Sequence, residues 1–201
     1  MTDRRGRRTR PTVVIMVKEP RPGRVKTRLG RDIGQTVATW WFRHQVRRLV
    51  RRIGRDRRWD CVLAVAPDTA LGTRALPEGM RRTPQGRGDL GQRMIRQLDR
   101  FRPGPVLVVG ADIPGLGARE VAGALAALRG HDTVIGPAPD GGYWLIGVRS
   151  GLSLRPEALD GVRWSGPHAR HDTLRALGNY RIAIAAELAD VDTAEDLRSP
   201  G

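Results

Sequence analysis

The chain has one cysteine, Cys61, in 201 residues. A single thiol cannot close an internal disulfide, which suits a cytoplasmic protein. No apolar run reaches the roughly 18 residues that a spanning helix needs. No apolar segment follows the N-terminal arginines before Val13, so neither a membrane span nor a signal peptide is expected. Aromatic residues make up 4% of the chain, too few to stack nucleic-acid bases along a surface. Acids are short as well, at 21 against 36 lysines and arginines. Among those 36 only two are lysine, Lys18 and Lys26, and both fall in one short loop. No glycine stands directly before Lys26, so that loop is not a Walker A phosphate loop.

A formal charge of +15 invites a nucleic-acid partner, but its distribution argues against one. Five arginines lie in the first ten residues, where residues 1–11 read as a disordered basic tail ahead of a domain over 12–198. Eight more lie between Arg43 and Arg58, on one predicted helix and the turn after it. A general drift towards arginine raises the isoelectric point without any anionic partner. It does not explain why both lysines fall within one loop, and lysine differs from arginine in being a compact point charge. That pair is read as functional.

What is present centres on Pro105–Leu116, PVLVVGADIPGL. Val106 to Val109 read as a strand buried on both faces. Asp112 follows just past its end, and Pro114 stops any continuation. Ligands of open α/β sheets gather beyond the carboxyl ends of strands. A carboxylate there is a ligand for a hard cation carrying a diphosphate, or else a turn residue bonding its own backbone.

Taken in order, Thr12–Val17 is a first buried strand, and Lys18–Leu29 a loop whose two prolines and Gly23 forbid a helix at its start. Its basic side chains, Lys18, Arg24, Lys26 and Arg28, sit where nucleotide phosphates bind after a first parallel strand. A helix is expected over 34–53 with Ala38, Phe42, Val46, Leu49, Val50 and Ile53 inward. Trp40 and Trp41 project off that stripe, either half-buried at the helix start or forming a subunit contact. Strand 59–66 follows. The loop Gln85–Gly91, containing Gly88 and Asp89, leads into a helix with Leu90, Met94, Leu98 and Phe101 on one face and Asp89 as its cap. After the central strand come a helix over 118–129 and strands at 133–136 and 143–148. Asp140-Gly141-Gly142 joins those two strands, as a tight hairpin or a substrate loop. His168 and His171 lack a third convergent ligand, and surface histidines are the default. A last strand over 180–186 leads to Asp190-Val191-Asp192, with Asp192 a helix cap, a second metal ligand, or both. Alternating strands and helices make this an α/β protein with a mainly parallel sheet.

These segments carry a resemblance. VKEPRPGRVKTRL, QGRGDLGQRM, GADIPGL, GPAPDGGYWLIGV and DVDTAEDL occur here in the order and at about the spacing of a bacterial GT-A glycosyltransferase-like family, the arsenosugar-biosynthesis type. The match runs from about Val13 to Leu197 and implies the nucleotide-diphospho-sugar transferase fold. That family tends to have Trp-Ser-Thr where this chain has Trp164-Ser165-Gly166. Val25–Leu29 and the single Asp112 also resemble 2-phospho-lactate guanylyltransferase, since Pro114 takes the second position of the DxD common in glycosyltransferases. The expectation is therefore a transferase with a nucleotide-activated donor and a small-molecule acceptor. Mg²⁺ or Mn²⁺ would be held by Asp112 and Asp192. Lys18, Gly23, Arg24, Lys26, Arg28, Gly88 and Asp89 would bind the nucleotide. Lys26 and Asp140 would do the chemistry, through a nucleotide sugar or, alternatively, a nucleoside triphosphate.

Overall fold

The computed structural model describes residues 9–198. Residues 1–8, most of the expected tail, lie outside the described residues. Residues 9–11 do not behave as tail. Arg10 pairs with Asp60 at 3.1 Å and also donates to the Arg57 carbonyl. No helix among the described residues is long and apolar enough to cross a membrane.

Seven strands form one sheet: β1 (Thr12–Lys18), β2 (Asp60–Ala66), β3 (Arg81–Pro84), β4 (Val106–Gly110), β5 (Thr133–Pro137), β6 (Tyr143–Val148) and β7 (Ile182–Ile184). Their order is β3-β2-β1-β4-β6-β5-β7. β6 runs antiparallel to β4 and β5, and every other pairing is parallel. Buried runs such as VVIMV have no polar face because both sides of the sheet are covered. Val13, Ile15, Val17, Leu63 and Val65 point to one side, under α2 (Gln35–Ile53) and α4 (Ala118–Ala127). Val14, Ala64, Val106 and Val108 point to the other, under α3 (Leu90–Arg100), with Leu154, Leu159 and Leu177. That alternation is the period of two along a strand.

Two elements were not expected. A short helix, α1 (Thr27–Ile33), begins inside the segment read as loop. β3, with the sequence RRTP, carries no apolar period because it is an edge strand held by backbone pairing to β2 and by Gln97 Nε2 donating to Pro84 O at 3.0 Å. α2 buries the predicted stripe. Trp41 is half-buried, whereas Trp40 is exposed. Leu90, the first residue of α3, is exposed rather than buried with Met94 and Leu98, because it lines open cavities instead of the core.

Candidate active site

The carboxyl ends of β1, β2, β3 and β4 open on one edge of the sheet because these strands are parallel. Gln85, buried just past β3, closes that edge from below. Its Nε2 donates to Val17 O at 3.2 Å and to Ala64 O at 2.8 Å. Those bonds satisfy two strand-end carbonyls and pin the start of the glycine-rich loop. Asp89 ends that loop as the cap of α3. Its carboxylate accepts from Gln92 N at 2.9 Å, and the Gln92 side chain accepts from Asp89 N at 3.3 Å.

The loop after β1 turns into α1 at Lys26, which has φ 46° and ψ 48° in the left-handed region. A non-glycine residue seldom adopts that conformation unless its surroundings impose it. Here Val25 is anchored in the core on one side, and Lys26 O accepts from Gly30 N at 2.8 Å on the other. The Lys26 side chain is only 6% exposed, and Nζ lies 2.5 Å from Asp112 Oδ2, 2.7 Å from Asp192 Oδ1 and 3.9 Å from Asp190 Oδ2. Asp112 reaches it from β4, flanked by the buried Ala111 and Ile113. Asp190 and Asp192 reach it from the segment after β7, where Val191 packs on Leu29 and Ala38. Arg28 Nη1 adds a longer contact to Asp192 at 3.4 Å.

Charge is concentrated at this point. Burial raises the Asp190 carboxyl to about 6, and the like charges of Asp112, Asp192 and Asp140 add to that while Lys26 opposes it. Burial by itself would lower the Lys26 ammonium, but Asp112 and Asp192 more than reverse it, so the group stays charged. One oxygen each from Asp112, Asp190 and Asp192 lies within 4.8 Å of the others. Among the described residues this is the one group of three or more histidine, cysteine or acidic side chains close enough to share an ion. An all-oxygen donor set suits a hard divalent cation, and the ammonium of Lys26 already stands as a cation between these carboxylates.

Two cavities meet at the cluster. The larger, about 790 Å³, runs over Lys18, Arg24, Lys26, Arg28 and Arg93, with Phe42 and Gln85 in its floor. The smaller, about 190 Å³, is walled by Leu90, Met94, Tyr143, Trp144 and Trp164 and charged only by Asp112, Asp140 and Asp190. Trp164 meets Tyr143 edge to face at 6.4 Å between ring centres, and its buried Nε1 has no hydrogen-bond partner among the described residues. Trp164 is held by its neighbour. Arg163 Nε and Nη2 donate to Asp172 at 2.8 and 3.0 Å, from the loop onto α5 (Ala169–Ala176). Asp172 is buried, and the Arg163 guanidinium holds its carboxyl well below the usual carboxylate range. A depressed folded-state pKa means that the stabilisation is complete above the unfolded value of about 4 and is lost as pH falls through the folded one. Asp172→Asn is expected to lower the melting temperature at pH 7, with the gap narrowing below about pH 4. An equal gap at pH 7 and pH 3 would rule out the charged pair as its cause.

Of the residues expected at the site, Lys18, Arg24, Lys26, Arg28, Asp112, Asp140 and Asp192 line one or both cavities. Gly23, Gly88 and Asp89 lie outside both walls. Asp140 also accepts from Gly142 N at 2.8 Å, closing its own turn. Asp192 is not a helix cap. The roles are reversed, and Asp196 Oδ2 accepts from Asp192 N and Thr193 N at 2.8 and 2.7 Å, leaving the Asp192 carboxylate for Lys26. Sequence reading missed Asp190, although two acids spaced i, i+2 in an acid-poor chain were a usable signal. It also missed Gln85, Leu90, Arg93 and Trp164, whose place on the walls depends on distant packing.

Residues 49–166 match the family described as uncharacterized protein conserved in bacteria, DUF2064. A solved structure from Desulfovibrio desulfuricans G20, assigned as a nucleotide-diphospho-sugar transferase, is 32% identical over 93% of this chain and 84% of its own, with a TM-score of 0.84. The 3-phospho-D-glycerate guanylyltransferase of Phenylobacterium zucineum (strain HLK1) is 33% identical over 92 residues, which are 45% of this chain and only 41% of that protein. Glucosyl-3-phosphoglycerate synthase from Mycobacterium tuberculosis, solved with Mn²⁺, UDP and glucosyl-3-phosphoglycerate, shares the fold at a TM-score of 0.55 and 11% identity, over 90% of this chain and 71% of its own. The architecture is that of nucleotide-diphospho-sugar transferases, the GT-A type.

Proposed function

This chain belongs to the bacterial DUF2064 family, and from that premise we propose that it is a metal-dependent glycosyltransferase taking its donor from a nucleotide sugar. The observation that carries the reading is the meeting of two unlike cavities at Asp112, Asp190 and Asp192. The large one offers Lys18, Arg24, Arg28 and Arg93 to phosphate oxygens, as a nucleoside diphosphate requires. The small one has aromatic walls for a sugar ring and no lysine or arginine. A phosphorylated acid placed there would meet no lysine or arginine in the wall, and the nearby Lys26 is already held by Asp112 and Asp192. A neutral sugar needs no such cation, and the aromatic walls offer it a stacking surface.

Asp112, Asp190 and Asp192 would hold Mg²⁺ or Mn²⁺, which when bound neutralises the diphosphate as it leaves. Lys26 and Arg28 would stabilise the charge developing on the leaving phosphate oxygens. Asp140, at the junction of both cavities, would orient an acceptor hydroxyl and take its proton.

The guanylyltransferase relative favours a second reading, nucleotidyl transfer, in which a substrate phosphate attacks the α-phosphorus of a nucleoside triphosphate and pyrophosphate leaves. A panel of UDP-, GDP- and TDP-sugars against GTP, CTP and UTP, each with and without Mg²⁺ or Mn²⁺, separates the two. Glycosyl transfer predicts a metal-dependent rise in melting temperature with one nucleotide sugar, and release of nucleoside diphosphate with a neutral acceptor. Pyrophosphate release from a triphosphate with a phosphorylated acceptor would replace this reading by the second.

A further inference from the structure

We propose that Lys26 is the resident cation of the carboxylate cluster, and that it keeps a divalent metal out until a diphosphate enters the neighbouring cleft. The inference rests on the reading of Asp112, Asp190 and Asp192 as the metal site. Nζ lies 2.5 and 2.7 Å from one oxygen of Asp112 and one of Asp192. A Mg²⁺ bonded to the same two oxygens would need about 2.0–2.1 Å to each. The two cations cannot share that space, and their charges repel at any distance so short. Metal binding therefore requires the lysine side chain to swing away.

The backbone cannot make that movement. Val25 is buried, and Lys26 O is already bonded into α1. Only the side-chain torsions are free, and the open direction is the large cleft that Lys26 also lines. Outside the carboxylate cluster the cleft is lined by Lys18, Arg24, Arg28 and Arg93 against the single carboxylate of Asp140, so without a ligand a departing ammonium exchanges two charge-assisted bonds for a mostly basic wall. With phosphate oxygens in the cleft it regains acceptors of the same kind. Metal and diphosphate thus bind with positive coupling, and the coupling is reciprocal. Arg28 does not substitute for this role. It is 65% exposed and reaches only Asp192, at 3.4 Å.

The test is binding of Mn²⁺ alone, measured by calorimetry and by the electron paramagnetic resonance of free Mn²⁺, on the wild-type protein and on Lys26→Met, which keeps side-chain length without charge. Wild type should bind Mn²⁺ weakly. Lys26→Met should bind it about 5- to 150-fold more tightly with no nucleotide present, the range usual for such coupling. If the uncompensated carboxylates impair folding of the variant, Mn²⁺ should raise its melting temperature and leave that of wild type unmoved, and Lys26→Ala should behave alike. Equal Mn²⁺ affinity in wild type and variant, lost in Asp112→Asn, would overturn the role of Lys26 and leave the metal site standing. No Mn²⁺ binding by either protein, with or without UDP or GDP, would overturn both.

Discussion

Asp112→Asn is expected to abolish metal-dependent turnover while the protein stays folded. Asp112 follows β4, the central strand, and is the carboxylate closest to Lys26, at 2.5 Å. It lines both cavities, so on the proposed reading it would face donor and acceptor together. Loss of partners that merely orient metal ligands costs 10–100-fold in affinity or activity. Loss of a direct ligand should cost more, and a fall of at least about a hundredfold is expected. Stability should change little. The asparagine keeps an acceptor oxygen at nearly the same place, and Lys26 retains Asp192 at 2.7 Å. Lys26 is buried, but with Asp192 at 2.7 Å and Asp190 at 3.9 Å its charge is not left unpaired, which is the condition that makes loss of a buried partner costly. Steady-state assays across a Mn²⁺ titration, run beside a thermal melt, check both halves. Turnover above about a tenth of wild type at saturating metal would remove Asp112 from the ligand set.

Gly141→Ala should damage stability and activity together. Gly141 sits at φ +83°, in the left-handed region, and a Cβ there would lie 2.3 Å from Pro167 O and 2.7 Å from Pro167 Cα. Both atoms are backbone, so no side chain can rotate aside. At this crossing the loop 138–142 locks onto the loop 165–167, and Gly141 O accepts from Arg170 N at 3.0 Å at the start of α5. Overpacking costs about 1–3 kcal/mol, and the left-handed conformation adds about 1–2 for a residue with a Cβ. Asp140 and Ser165 to Pro167 all line the cavities. A displacement of about 1 Å at reacting groups can cost 10²-fold in rate. Gly166→Ala is the control for stability. It stands in the same loop, its Cβ would meet nothing within 4 Å, and its melting temperature should match wild type. Should Gly141→Ala melt with it, the two loops are not locked at this point.

Local rules in the sequence determined much of the frame. Strands buried on both faces announced themselves as unbroken apolar runs, and the stripe of α2 fell on the residues that its period of 3.6 selects. Asp89 was legible as a cap because such a bond is made within one turn, and the structure adds Gln92 as its reciprocal partner. The resemblance in five ordered segments carried the fold type. α1 was hidden because the prolines and Gly23 before it argue for a loop, and nothing in Val25-Lys26-Thr27 announces a left-handed start. β3 was hidden because an edge strand needs no apolar face.

Only the tertiary structure decided what the charged residues do. Lys26 is a loop cation by sequence, set among phosphate-binding side chains. In the fold it turns towards carboxylates that lie 86 and 166 positions away, Asp112 after the central strand and Asp192 near the end of the chain. The reason is geometric. Parallel strands bring the segments that follow them to one edge whatever their separation in sequence, and the pairing of Val191 with Leu29 and Ala38 sets Asp190 and Asp192 facing that edge. A charge can be read from sequence, but its partner at such range cannot, because that partner is chosen by the sheet.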